Sequence, residues 1–172
     1  LKKCECNYMK MGTKRKMGAI MQKIKVIPLV GIEFDDITIA LNSSCEDVKN
    51  LLGEPYSTRD DSLYYFNNEL RFDFDDDGKV EFIEFLGGID GELQPVIYDV
   101  PAFQSKADIL YNILRKENRG DIDDSENGYS YGFLNISVGV YRSSIPKDVE
   151  EMIKEADEAG EPMDEGEIEE ER

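Results

Sequence analysis

Histidine and tryptophan are both absent from the 172 residues. Without histidine the chain lacks the commonest general base and metal ligand, and the usual partner of a serine or cysteine nucleophile. Most hydrolase mechanisms are thereby excluded. Cysteine is sparse and odd in number, with only Cys4, Cys6 and Cys45, which fits a reducing compartment better than a disulfide scaffold. Cys4 and Cys6 are spaced as a thiolate pair, but no second pair follows to complete a zinc site. Long apolar runs are missing too. The longest, Val26 to Ile32, contains Pro28 and Gly31 and ends at Glu33. It falls far short of the roughly 20 residues of a membrane span and offers no small-residue cleavage site. These absences predict a cytoplasmic protein that is not an enzyme and needs no cofactor or metal.

What the chain has in excess is acid, with 38 Asp and Glu against 20 Lys and Arg, for a net charge of −18. The imbalance is uneven, because the segment before Val26 is basic and carries Glu5 as its single acid. A polyanion repels nucleic acid and anionic membranes and draws in basic proteins. The same charge also serves solubility. With 40% hydrophobic and 10% aromatic residues, most of the chain can build a core. One domain is expected over residues 21–160. Residues 1–20 read as a disordered basic extension. Met9, Met11, Met17 and Met21 punctuate the start, favouring an over-extended gene start with translation from near Met21, against the alternative of a basic arm that contacts acid. Residues 161–172 read as a disordered acidic tail.

Inside the domain the pattern alternates helix and strands. "SSCEDVKNLLGEP" predicts a helix capped by Ser44, with Glu46 and Asp47 in its first turn, an apolar face of Val48, Leu51 and Leu52, and a stop at Gly53 and Pro55. "SLYYFNNELRFDF" predicts two strands joined at Asn67-Asn68. "PVIYDV" reads as a strand. "FQSKADILYNILRKEN" reads as an amphipathic helix with Ser105 as cap and Ile109, Leu110, Ile113 and Leu114 along one face. "YSYGFLNISVGVYR" predicts two more strands, with Tyr129, Tyr131 and Phe133 on one face. Ser144, Pro146 and Gly160 bound a last helix with Val149, Met152, Ile153 and Ala156 as its stripe. The expected class is α+β, a mainly antiparallel sheet with helices on one face. The order of elements also fits two tandem helix-plus-strands halves, about 37–88 and 95–160.

"DFDDDGKVEFIE" places Asp73, Asp75, Asp77, Gly78 and Glu84 at positions one, three, five, six and twelve of an EF-hand calcium loop. An EF-hand needs helices on both sides, whereas Leu70, Phe72 and Phe74 alternate with polar residues and "KVEFIEF" is again strand-like. A hairpin turn at Asp77-Gly78 is therefore expected, with calcium binding as the less favoured alternative. The second acidic loop, "DIDDSENG", has Glu126 where the turn glycine should stand. "LGGIDGELQP" lacks the Gly-Lys-Ser/Thr ending of a phosphate loop.

The combination of "EDVKNLLGEP", "LYYFNNELRFDFDDDGKVEFIEF", "VIYDVPAFQSKADILYNILRK" and "ENGYSYGF" with "SVGVYR" resembles bacterial immunity-type proteins encoded beside polymorphic or contact-dependent toxins. Its first half also looks like the helix-plus-sheet repeat of β-lactamase-inhibitor-protein-like domains. The resemblance spans about Ile37 to Arg142. It implies a protein that binds and neutralises one cognate toxin domain, and the charge suits a basic, nuclease-like one. The expected partner surface is Asp121, Asp123, Asp124, Glu126, Tyr129 and Tyr131, where tyrosines stand beside carboxylates. The competing reading is an interaction or scaffold module with no toxin partner. The oligomeric state is left open.

Overall fold

The structure is a computed structural model that describes residues 21–166 and residue 168. Three sheets and three helices make an α+β fold. The largest sheet collects β1 (Gln22–Ile27), β2 (Gly31–Phe34), β3 (Ile37–Ala40), β8 (Leu93–Ile97) and β9 (Val100–Pro101) in the order β3-β2-β1-β8-β9. Its β1–β8 contact is parallel and joins residues far apart in sequence, Gln22 opposite Leu93 through Val26 opposite Ile97. Gly31 lies at φ +144°, and a Cβ there would stand 2.1 Å from the Ile39 carbonyl oxygen, so β2 and β3 approach at a point only glycine allows.

The second sheet is a meander of β4 (Ser57–Arg59), β5 (Ser62–Tyr65), β6 (Leu70–Phe74) and β7 (Val80–Phe85). Phe66, Asn67 and Asn68 all take positive φ between β5 and β6, the conformation that asparagine tolerates best. The helix α1 (Cys45–Leu52) precedes this meander. It starts as the sequence predicts: the Ser44 hydroxyl accepts from the Asp47 amide at 3.1 Å and the Asp47 carboxylate accepts from the Ser44 amide at 3.0 Å. Around α1 and the meander lies one core, with Ile24, Ile39, Val48, Leu70, Phe72 and Val80 fully buried.

The third sheet holds β10 (Ile122–Asp123), β11 (Ser130–Phe133) and β12 (Val138–Tyr141). It packs with α2 (Ala107–Asn118) around a smaller core of Ile97, Leu110, Leu114, Phe133 and Ile136. The helix α3 (Pro146–Ala159) follows, with Val149 as its buried residue. The helix-then-strands order thus occurs twice, and the five-stranded sheet contributes to both cores.

Several local expectations need correction. The mainly antiparallel pairing expected for the class is divided among three sheets. "PVIYDV" is not one strand: Tyr98 and Asp99 take positive φ and fold it into the β8–β9 hairpin. Ser105 does not cap α2, whose N-cap is Lys106 with no side-chain hydrogen bond, and α3 is capped at Ile145 in place of Ser144. Ile109, Leu51 and Met152 are exposed, and the stripes bury only Val48 of α1, Leu110 and Leu114 of α2 and Val149 of α3. Residues 1–20, with the Cys4–Cys6 pair, lie outside the described residues, as do Glu167 and 169–172 of the expected tail. Of the rest of that tail, residues 161–162 and 164–166 are exposed.

Candidate functional site

The calcium-like loop forms a β-hairpin turn. Gly78 takes φ +71°, and the Asp75 carboxylate accepts from the amides of Asp77 at 3.0 Å and Lys79 at 2.8 Å, so this aspartate caps its own turn. The end positions of the motif fare differently. Strand register sets Arg71 opposite Glu84 and on the same face as Asp73. The guanidinium donates through Nε to Asp73 at 2.7 Å, through Nη2 to its other oxygen at 2.6 Å, and through Nη1 to Glu84 at 3.1 Å. The Ser62 hydroxyl adds a further hydrogen bond to Asp73. One arginine therefore holds the carboxylates at the first and last positions of the motif. Among the described residues no three carboxylates or thiols are placed to share a cation.

The second acidic loop grows from the end of α2. Arg119 takes a left-handed conformation there, and the buried Asn118 donates from Nδ2 to the Asp121 carbonyl at 2.9 Å, which turns the chain into β10. Asp121, Asp123, Asp124 and Glu126 are all exposed. Three of them also organise the loop: Asp123 accepts from the Ser125 amide at 3.0 Å, Asp124 from the Gly128 amide at 2.6 Å, and Glu126 from the Ser130 hydroxyl at 2.8 Å. Asp121 is the acid of this set that carries charge without a structural bond.

Tyr129 and Tyr131 are half-buried and stand at the wall of a groove of about 410 Å³ between the start of α2 and the β11–β12 pair. The Tyr131 ring meets Tyr111 edge-on at 4.8 Å between centroids. The Tyr129 hydroxyl donates to Asp148 of α3 at 2.7 Å. Val140, Tyr141, Arg142 and Asp108 complete the rim. Tyr141 is 75% exposed, more than any other large hydrophobic side chain among the described residues. The arginine guanidinium is aimed at the Gly128 carbonyl, to which Nε donates at 2.8 Å. The sequence reading missed Tyr111, Val140 and Tyr141. Their signal is weak, because Tyr111 lies in a helix pattern and Tyr141 ends a strand whose outward direction only the register reveals.

Asp148 accepts two hydrogen bonds, one from the Ile145 amide that caps α3 itself and one from the Tyr129 hydroxyl that fastens the helix to this surface. The Ile145 amide at 2.9 Å and the Tyr129 hydroxyl hold its carboxyl below the ordinary value of 3.8, the amide contributing most. A depressed carboxyl contributes stability above its unfolded value and loses it as pH falls through the folded one. The amide resonances of Ile145 and Val149 are thus expected to hold steady from neutral pH to about pH 4 and to report fraying of the start of α3 only below it. With Tyr129→Phe the fraying should begin closer to the ordinary carboxyl value. Fraying that begins near neutrality would show that Asp148 is not the anchor.

No helix among the described residues is long and apolar enough to cross a membrane. No protein-family model, no curated protein and no solved structure matches the chain.

Proposed function

We propose that the chain is a non-catalytic binding protein for a basic partner protein, most specifically an immunity protein that neutralises a basic, nuclease-like toxin domain. The observation that carries this reading is the acidic loop 121–126 running directly into the tyrosines that wall a groove, with Glu126 bonded to Ser130 between Tyr129 and Tyr131 and with Tyr141 exposed. Aromatic anchors ringed by charge are the composition of binding hot spots, where the rings supply contact area and the acids steer the approach. The chain's net charge of −18 works in the same direction over longer range.

The test is co-expression with the product of the adjacent gene. Binding that survives purification in low salt, weakens in high salt and abolishes the neighbour's toxicity is the expected outcome. Absence of binding in low salt would contradict the immunity reading for that neighbour.

A further inference from the structure

The edge of the third sheet carries a more specific consequence. In the order β10-β11-β12 nothing pairs with the outer side of β12 among the described residues. The hydrogen-bond phase follows from the register. Ser130 lies opposite Tyr141 and Gly132 opposite Gly139, while the Arg142 amide donates to the Tyr129 carbonyl at 2.9 Å. Residues 142, 140 and 138 therefore turn their backbone groups toward β11, and the alternate residues Gly139 and Tyr141 turn theirs outward. An unpaired edge of this kind is a template for another strand. Proteins usually block it with lysine, proline or a bulge, and β12 has none of these. Its outward residues are a glycine, around whose position a Cβ would meet nothing within 4 Å, and the exposed Tyr141.

The groove lies along this edge, since Val140, Tyr141 and Arg142 of its rim belong to or follow β12. A strand added there would direct every second side chain toward Tyr131 and Val140. Acids mark the Tyr141 end: Glu126 is bonded to Ser130, the residue opposite Tyr141, Asp148 is bonded to Tyr129, and Glu151 acts electrostatically on the Tyr129 hydroxyl. Two cations stand near them, and both are engaged: Arg142 with the Gly128 carbonyl and Lys147 with Glu151 at 3.5 Å.

Resting on the binding role proposed above, we infer that β12 receives an extended basic segment of the partner as the outermost strand of the third sheet, held by main-chain hydrogen bonds to Gly139 and Tyr141. A second copy of this chain is a poorer occupant, because two chains that each carry a net charge of −18 repel one another while a basic segment is attracted.

The experiment follows amide hydrogen exchange by NMR on the full chain, with a synthetic peptide alternating lysine and valine as probe and its glutamate-valine counterpart as control. In the free protein the Gly139 and Tyr141 amides should exchange fast, while that of Val140 is protected. The lysine peptide should slow Gly139 and Tyr141 by about tenfold or more, and the glutamate peptide should not. Gly139→Pro removes an outward donor without touching the β11 ladder and should abolish the protection. Shifts confined to residues 121–126 with fast edge amides would overturn strand addition while leaving acidic binding standing. Protection in the free protein that rises with its concentration would identify a second copy as occupant and overturn the inference. Equal protection by both peptides, or no binding of the lysine peptide, would overturn it also.

Discussion

Gln94→Glu is expected to destabilise the fold by at least about 3 kcal/mol at neutral pH. Gln94 is 2% exposed in β8, inside the five-stranded sheet. Its Nε2 faces three carbonyl oxygens of the glycine-rich loop, at 2.9 Å from Gly91, 3.3 Å from Ile89 and 3.4 Å from Gly88. Its Oε1 is buried with no hydrogen-bond partner. The amide therefore acts through its donor. A carboxylate in the same place would have nothing to donate and would turn negative oxygen toward three carbonyls in a desolvated site. The substituted carboxyl can relieve this only by taking a proton, so its folded pKa must rise above the unfolded value of about 4.3. The deficit is then small below that value and grows as pH rises toward the folded pKa, where it levels off. Urea unfolding of the variant and the parent at acidic and neutral pH measures this directly. Equal stability of the two at neutral pH would show that the loop is not held by the Gln94 donor.

The next largest effect is expected at Asn118, the last residue of α2. Asn118→Leu keeps the approximate volume and removes both side-chain hydrogen bonds, and the expected loss is about 2 to 4 kcal/mol. Its Nδ2 serves the Asp121 carbonyl at 2.9 Å and its Oδ1 accepts from the Asn135 amide at 2.8 Å. Asn135 returns a bond from Nδ2 to the Asn118 carbonyl at 3.0 Å, passing so close to Gly120 that a Cβ there would lie 2.1 Å from it. The cluster ties together the end of α2, the start of the acidic loop and the short 3-10 turn Leu134–Ile136. Its loss should lower stability and also release the loop from its position beside the groove. Asp121→Lys offers the contrast, because the exposed carboxylate makes no bond in the loop and its reversal should change stability by less than about 0.5 kcal/mol. Unfolding curves of the two variants side by side separate the roles. A large loss at Asp121, or none at Asn118, would reverse the assignment.

The elements that local chemistry dictates were readable in the sequence. Ser44 with Asp47, the Asn67-Asn68 turn and the Asp77-Gly78 turn each satisfy backbone groups within a few residues, so spacing alone identifies them. The α+β class followed from the same patterns. Long-range pairing was not readable: the parallel β1–β8 contact depends on residues 22–26 meeting residues 93–97 across the fold, and neither segment signals the other locally. The site divides along the same line. Exposure of the loop acids follows from composition and turn chemistry. That three of them also cap the loop, and that Arg71 occupies Asp73 and Glu84, depends on hydrogen bonds and strand register that a spacing motif does not encode. The groove was missed because Tyr111 and Tyr141 come from elements separated by the whole acidic loop.

In the function proposed above, this surface captures a basic protein through acid-steered association. The most direct measurement is the stopped-flow association rate of the parent and Asp121→Lys with the protein encoded by the adjacent gene, at low and at high salt. The parent should associate faster at low salt, Asp121→Lys should lose about tenfold of that rate there, and the two should converge at high salt. A rate indifferent to salt and to the reversal of Asp121 would contradict that function.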